Sequence, residues 1–209
     1  MTLMNYTTIP TQEIVTKTIA ALKARNIEGH SVATGAEALA KVKELIPTGA
    51  SVNNGSSTTL HQIGLVDYLK DSAANGWNNL HAASLTETDP EKKAAAKDAA
   101  HFADFYLGSV HSLTEDGELV IASASGSQLP SIVHTAKNII FVVSAMKIMP
   151  DITAALDRVR THVVPLEDAR MKSVNMGGTA LAKIVLFEME PAFTGRKIHV
   201  VFVNEALGF

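Results

Sequence analysis

Asn53-Asn54-Gly55-Ser56-Ser57-Thr58 is the first stretch of the chain whose residue types and spacing could do chemistry. A turn of glycine and hydroxyl residues that opens a helix gathers free backbone N–H groups and the positive end of the helix dipole at one point. That is a site for a phosphate or a carboxylate. The stretch lacks the Gly-Lys-Ser/Thr of a P-loop and the Gly-x-Gly-x-x-Gly of a dinucleotide turn. An ordinary N-cap by Ser56, Ser57 or Thr58 accounts for the same residues. The second stretch is Thr114-Glu115-Asp116-Gly117, two carboxylates on a tight turn with Glu118 behind them. Glu115 or Asp116 is expected to serve as general base or nucleophile, or to orient a ligand hydroxyl. A solvated acidic turn is the alternative. The third is Lys147, which follows the apolar run Asn138–Ser144. A lysine at the carboxyl end of a central strand neutralises an acid bound there. The expected ligand-binding set is therefore Asn53, Asn54, Gly55, Ser56, Ser57, Thr58, Thr114, Gly117, Gly126 and Lys147. Glu115 and Asp116 are the expected catalytic acids, facing the others across one cleft.

The eight histidines form no His-x-x-x-His or His-x-His pair, and His101 with Asp104 is the nearest approach to one. No metal and no cofactor is expected.

These residues need a scaffold, and the hydropathy pattern supplies one. Ile14, Val15, Ile19 and Leu22 fall on one helix face, started by Pro10 and Thr11. Thr34-Gly-Ala-Glu37 matches a capping box ahead of Leu39, Val42 and Leu45. Ala50–Asn53 reads as a buried strand, and a helix with Leu60, Ile63 and Leu69 follows the Gly55 turn. Asp71–Thr88, which holds Trp77, reads as a loop with the character of a lid. Asp89-Pro90-Glu91 starts another helix, with Ala95, Ala99 and Phe102 along one face. Phe105–Val110 and Glu118–Ala124 read as strands on either side of the acidic turn, making a hairpin. Asn138–Ser144 is the strongest candidate for a buried parallel strand. Asp151 caps a helix with Ile152, Ala155, Leu156 and Val159 on its apolar face. Lys183–Met189 and Lys197–Val203 are expected as an antiparallel C-terminal pair. Strands alternating with helices predict an α/β fold with a mainly parallel open sheet.

A chain of 209 residues, 46% hydrophobic and 5% aromatic, forms one domain with a core of small aliphatic side chains. A net charge of −3 without a basic patch gives no case for nucleic acid or an anionic membrane. The absence of cysteine excludes disulfides, thiolate metal sites and cysteine nucleophiles. No apolar run approaches the ~18 residues of a membrane helix, and no signal peptide is evident. A cytoplasmic location is the expectation.

Three blocks then stand in order: Asn54–Gly64, Ala103–Ser109 with Thr114–Val120, and Val200–Phe209. With Lys147-Ile148 and Leu156–Arg160, they resemble the lactate-utilisation (LUD) domain family from about Leu39 onward. The resemblance implies a sheet of the ribose-phosphate isomerase/CoA-transferase type and an accessory or ligand-binding role in the use of lactate or another small organic acid. The alternatives are an enzyme of the isomerase/CoA-transferase type working through Glu115 or Asp116, and an assembly protein without small-molecule chemistry. The partners it implies are a small anionic metabolite and other lactate-oxidation proteins. A homodimer is a further expectation. Two features depart from the pattern. Met171–Ala182 carries no cysteine cluster, and Gly126-Ser127-Gln128 stands where related chains have Gly-Asn-Arg, so a cation is missing there.

Overall fold

The structure is a computed structural model that describes residues 5–71 and 75–209. Its centre is a six-stranded sheet in the order β1-β10-β7-β4-β2-β3, in which every pairing is parallel. The strands are β1 (Glu28–Val32), β2 (Ser51–Asn54), β3 (Asn78–Asn79), β4 (Phe105–Gly108), β7 (Asn138–Ser144) and β10 (Lys197–Val203). A second sheet of four strands, in the order β8-β5-β6-β9, holds β5 (Ser112–Thr114), β6 (Leu119–Ser123), β8 (Ile148–Met149) and β9 (Lys183–Phe187).

The apolar residues of β7 explain the layering. Ile140 and Val142 face one core, with α2 (Gly35–Leu45), α3 (Thr58–Gln62) and α4 (Leu65–Lys70) over it. Ile139, Phe141 and Val143 face another, closed by α1 (Gln12–Ala24) and the inner side of the second sheet. A strand buried on both faces has no use for polar alternation, hence its unbroken apolar run. The outer side of the second sheet packs Val120, Ala122 and Met149 against Ala155 and Val159 of the segment that begins Ile152–Arg158. The caps follow the local sequence. Thr11, Thr34, Asp89 and Asp151 each accept from a backbone N–H in the first turn of their helix.

Four expectations are corrected by this arrangement. The two C-terminal strands do not pair with each other. Strand β9 runs antiparallel to β6, whereas β10 lies parallel between β1 and β7. The near-continuous burial of Ile198–Val203 requires a position deep in the parallel sheet. The chain crosses between sheets at Glu190–Arg196, an ion pair of 3.0 Å with little exposure on either side. The acidic hairpin is β5 with β6, and Phe105–Gly108 belongs instead to the parallel sheet. The stretch around Trp77 is no lid over the cleft. Trp77 is buried edge-on against Tyr68, and Leu80–Thr86 is helical, while residues 72–74 of that stretch lie outside the described residues. Finally, Ala95 and Ala99 face solvent and Phe102 is 72% exposed, so that face does not enter the core.

Candidate functional site

Strands β2, β4 and β7 run parallel, so their carboxyl ends lie on one edge of the sheet. A cleft of about 260 Å³ opens there. Its volume lies at the small end for ligand sites, which suits a metabolite of a few carbons better than a nucleotide. Crevices outside the carboxyl ends of parallel strands are where open α/β sheets bind ligands.

Gly55, Ser56, Ser57 and Thr58 line the cleft on one side. The Gly55 N–H donates to Leu107 O at 3.1 Å, which extends the β2–β4 pairing and fixes where the turn starts. A Cβ on Gly55 would lie 2.4 Å from the Tyr106 hydroxyl oxygen, so glycine is what lets the turn pass over that ring. Ser57 caps α3, accepting from Leu60 N at 3.4 Å. That helix has only five residues, so little macrodipole stands behind the turn. The charge comes instead from Lys147, which lines the cleft and is 3% exposed. Its Nζ donates to Thr59 Oγ1 at 3.3 Å, Ser109 Oγ at 3.2 Å and Val110 O at 3.2 Å. Burial, and then the nearby Arg158 charge, hold its pKa down to about 7.

Tyr106 and His111 line this cleft and Arg158 lies behind its wall, and none of the three was assigned from the sequence. The Tyr106 ring is buried, its hydroxyl makes no hydrogen bond among the described residues, and burial raises its pKa. His111 Nδ1 accepts from Ala122 N at 3.0 Å. Enclosure, and then the charges of Lys147 and Arg158, lower its pKa to about 3. The ring is therefore neutral, with its proton on Nε2, a donor in the cleft wall. Arg158 has no exposed surface. Its guanidinium donates to His111 O at 2.6 Å, Phe209 O at 3.2 Å and Tyr6 O at 3.5 Å, while Nε has no partner. Burial is the main reason that its pKa falls to about 10. Arg158 sits three residues after Ala155 on the buried face of its helix. A charge on an apolar stripe was the signal in the sequence. His111 offered none.

Of the expected binding residues, Gly55, Ser56, Ser57, Thr58 and Lys147 meet in this cleft. Asn53 and Asn54 are buried in β2 just behind it, with Asn54 Nδ2 donating to Gly55 O. Gly126 lies in the turn after β6, its N–H on Ser123 Oγ, and its neighbours Ser125, Ser127 and Gln128 line the cleft in its place. The acidic turn is elsewhere. Glu115 pairs with Lys17 at 2.9 Å and Asp116 is exposed. Gly117 packs on the backbone of Ala21 and Leu22, and Thr114 bonds Glu118 inside the turn. The hairpin belongs to the second sheet and turns outward onto α1, which withdraws Thr114, Glu115, Asp116 and Gly117 from the cleft and both acids from a catalytic role there. Glu167 is an acid in the cleft wall, and it is held by Arg170 through two bonds of 2.7 Å.

Among the described residues no three His, Cys, Asp or Glu side chains converge as a ligand set. His101 meets Ser131 Oγ at 3.2 Å, and Asp104 accepts from the N–H and hydroxyl of Ser51. Among those residues no helix is long and apolar enough to cross a membrane.

Comparison with known proteins agrees with this architecture. The family model of the LUD domain matches residues 15–203. A crystal structure of a DUF162 family protein from Deinococcus radiodurans superposes with a TM-score of 0.56 at 13% identity, over 93% of this chain and 100% of that one. At that identity the likeness concerns the fold alone. A comparison with curated proteins returned no match. The family model spans nearly the whole α/β unit that carries the cleft, and the chain belongs to the LUD domain family.

Proposed function

We propose that this protein binds a small organic acid in the cleft between the Gly55 turn and Lys147, as a component of lactate or related acid utilisation. One observation carries the reading. Lys147, buried in the cleft wall, and Arg158, buried behind it on the carbonyls of the lining residues His111 and Phe209, have no carboxylate side chain paired to either among the described residues. A buried charge is costly without a counter-charge. An anionic ligand supplies one. The hydroxyls of Ser56, Ser57, Thr58 and Ser109, the Tyr106 hydroxyl and the His111 Nε2–H offer the hydrogen bonds that fix its orientation. Membership in the LUD domain family supports the link to lactate. An enzyme working through Glu115 or Asp116 is disfavoured, because both acids lie on the α1 side of the second sheet.

The test is ligand-dependent thermal stability. Lactate, pyruvate and inorganic phosphate are titrated against the protein. A ligand at one hundred times its Kd adds about 2.7 kcal/mol. Stabilisation by a carboxylate that disappears in Lys147→Ala and Gly55→Val is the expected result. Equal stabilisation in both variants would move the binding elsewhere, and no stabilisation by any small acid would end the proposal.

A further inference from the structure

We propose that Lys147 is a nucleophile that forms an imine with the carbonyl group of a 2-oxo acid. The inference rests on the anion-binding reading of the cleft and adds a reaction to it.

The surroundings of Nζ carry the argument. Among the described residues the paired lysines meet carboxylates at short range, with Lys41, Lys70 and Lys172 each 2.6 Å from an acid oxygen and Lys17 2.9 Å from one. Distances of that order mark charge-assisted bonds. Lys147 has three partners at 3.2 to 3.3 Å, two hydroxyls and a backbone carbonyl. A carboxylate would hold the amine as an ammonium ion. Hydroxyls do not, because each can donate as well as accept. With one hydroxyl reversed, a neutral amine satisfies all three partners and presents its nitrogen lone pair to that hydroxyl. Breaking this one weak bond frees the pair for attack. Desolvation, and a neighbouring cation such as Arg158, are the two conditions that prepare a lysine for carbonyl addition. The lowered pKa of Lys147 agrees with this geometry.

The ligand class follows from the same residues. The carboxylate meets the hydroxyls of the Gly55 turn and the His111 Nε2–H, and the adjacent carbonyl carbon comes to Nζ. In the first step a C–N bond forms and the carbonyl π pair moves to oxygen. Thr59 and Ser109 relay the proton lost by nitrogen to that oxygen, giving a carbinolamine. In the second step the C–O bond breaks, the nitrogen pair forms the C=N bond, and one water leaves. No oxidant, reductant or cofactor enters the balance.

The experiment uses the intact chain with pyruvate and sodium cyanoborohydride near neutral pH, followed by peptide mapping. The expected result is one reduced pyruvate adduct at Lys147, formed about tenfold or more faster than at any other lysine, since a lysine side chain in water is protonated at that pH. Lys147→Arg should lose this adduct, and the unmodified protein should be stabilised by L-lactate, which has the same skeleton without the carbonyl, yet form no adduct with it. Adducts spread over surface lysines, or none, together with stabilisation by both acids, would overturn the imine and leave the anion cleft standing. No adduct and no stabilisation by either acid would remove both.

Discussion

Lys147 Nζ lies 3.3 Å from Thr59 Oγ1, so the segment after β7 is tied to the helix after β2 at the floor of the cleft. Thr59 is 1% exposed. Thr59→Val keeps the shape of the side chain and removes the hydroxyl. A net hydrogen bond is worth about 1 kcal/mol, and urea denaturation should show a loss of that size. Thr59→Ser keeps the hydroxyl and should lose less than Val does if the bond is what matters. Equal losses would mean that packing of the methyl group sets the cost.

Gly55 and Tyr106 are coupled by contact. A Cβ at position 55 would come within 2.4 Å of the Tyr106 oxygen but 3.5 Å from its Cζ. A Cβ at position 108 would likewise come within 2.9 Å of the ring's Cε1, so the ring is fitted to two glycines. Gly55→Ala should therefore cost about 1–3 kcal/mol through overpacking. Tyr106→Phe takes away only the atom that clashes. The double variant should recover most of the loss, with a coupling of about 1 kcal/mol or more in a double-mutant cycle. Additive losses would show that the turn fails for another reason.

The Glu190–Arg196 pair bridges the two sheets. Arg196 also donates to the carbonyls of Ile132 and Ala136, at 2.7 and 2.9 Å. Removing one member of a buried pair leaves an uncompensated charge and costs about 3–5 kcal/mol. Arg196→Met should unfold at markedly lower denaturant. Arg196→Met with Glu190→Gln should be less damaging than Arg196→Met alone, because no naked charge remains. If the double variant were the worse of the two, the carbonyl contacts rather than the ion pair would be the dominant loss.

Much of the scaffold was legible in the sequence because it is written in local patterns. The apolar run of Asn138–Ser144, the caps at Thr34, Asp89 and Asp151, and the turn at Gly55 each report a short-range requirement. What was not legible depends on which sheet a strand joins. Ser112–Thr114 is three residues long, too short for a periodicity, and it carries the acidic turn away from Lys147 into the second sheet. A turn acid and a cleft acid look alike until that choice is made. Arg158 was readable as a charge on an apolar face, whereas its approach to His111 O spans 47 residues and had no trace in the sequence.

Lys147 should also set a pH dependence of stability. Its pKa is about 7 in the fold against an ordinary 10.5, through burial and then Arg158. Between those values the unfolded chain holds a proton that the folded one does not. Stability therefore rises with pH over that window, by at most about 1.4 kcal/mol per unit, and gains nothing from this group below pH 7. Tyr106, whose pKa is raised in the fold, opposes the trend above its ordinary value of 10.0, so the slope is best read below that point. Lys147→Met should flatten it. An unchanged slope in the variant would mean that Lys147 is fully charged at neutral pH, which would also weaken its assignment as a nucleophile.

His111 gives the acid limb the same treatment with a different readout. Enclosure comes first among the causes that lower its pKa to about 3 from 6.5, followed by the charges of Lys147 and Arg158. The Ala122 N–H adds a structural reason, since it donates to Nδ1 and cannot do so once that nitrogen is protonated. Across pH 6.5 to 3 the unfolded chain takes up a proton that the folded one refuses, and stability falls as the pH falls. Other histidines with lowered pKa values, such as His30 and His199, add to the same limb, so bulk acid unfolding does not isolate His111. Its ring shifts in an NMR titration do. They should stay constant down to about pH 4, with Nε2 as the protonated nitrogen. In Arg158→Met one of the two neighbouring cations is gone, and any His111 midpoint should move upward. A midpoint near the ordinary value in the unmodified protein would place the ring in contact with water and remove it as a fixed donor in the cleft.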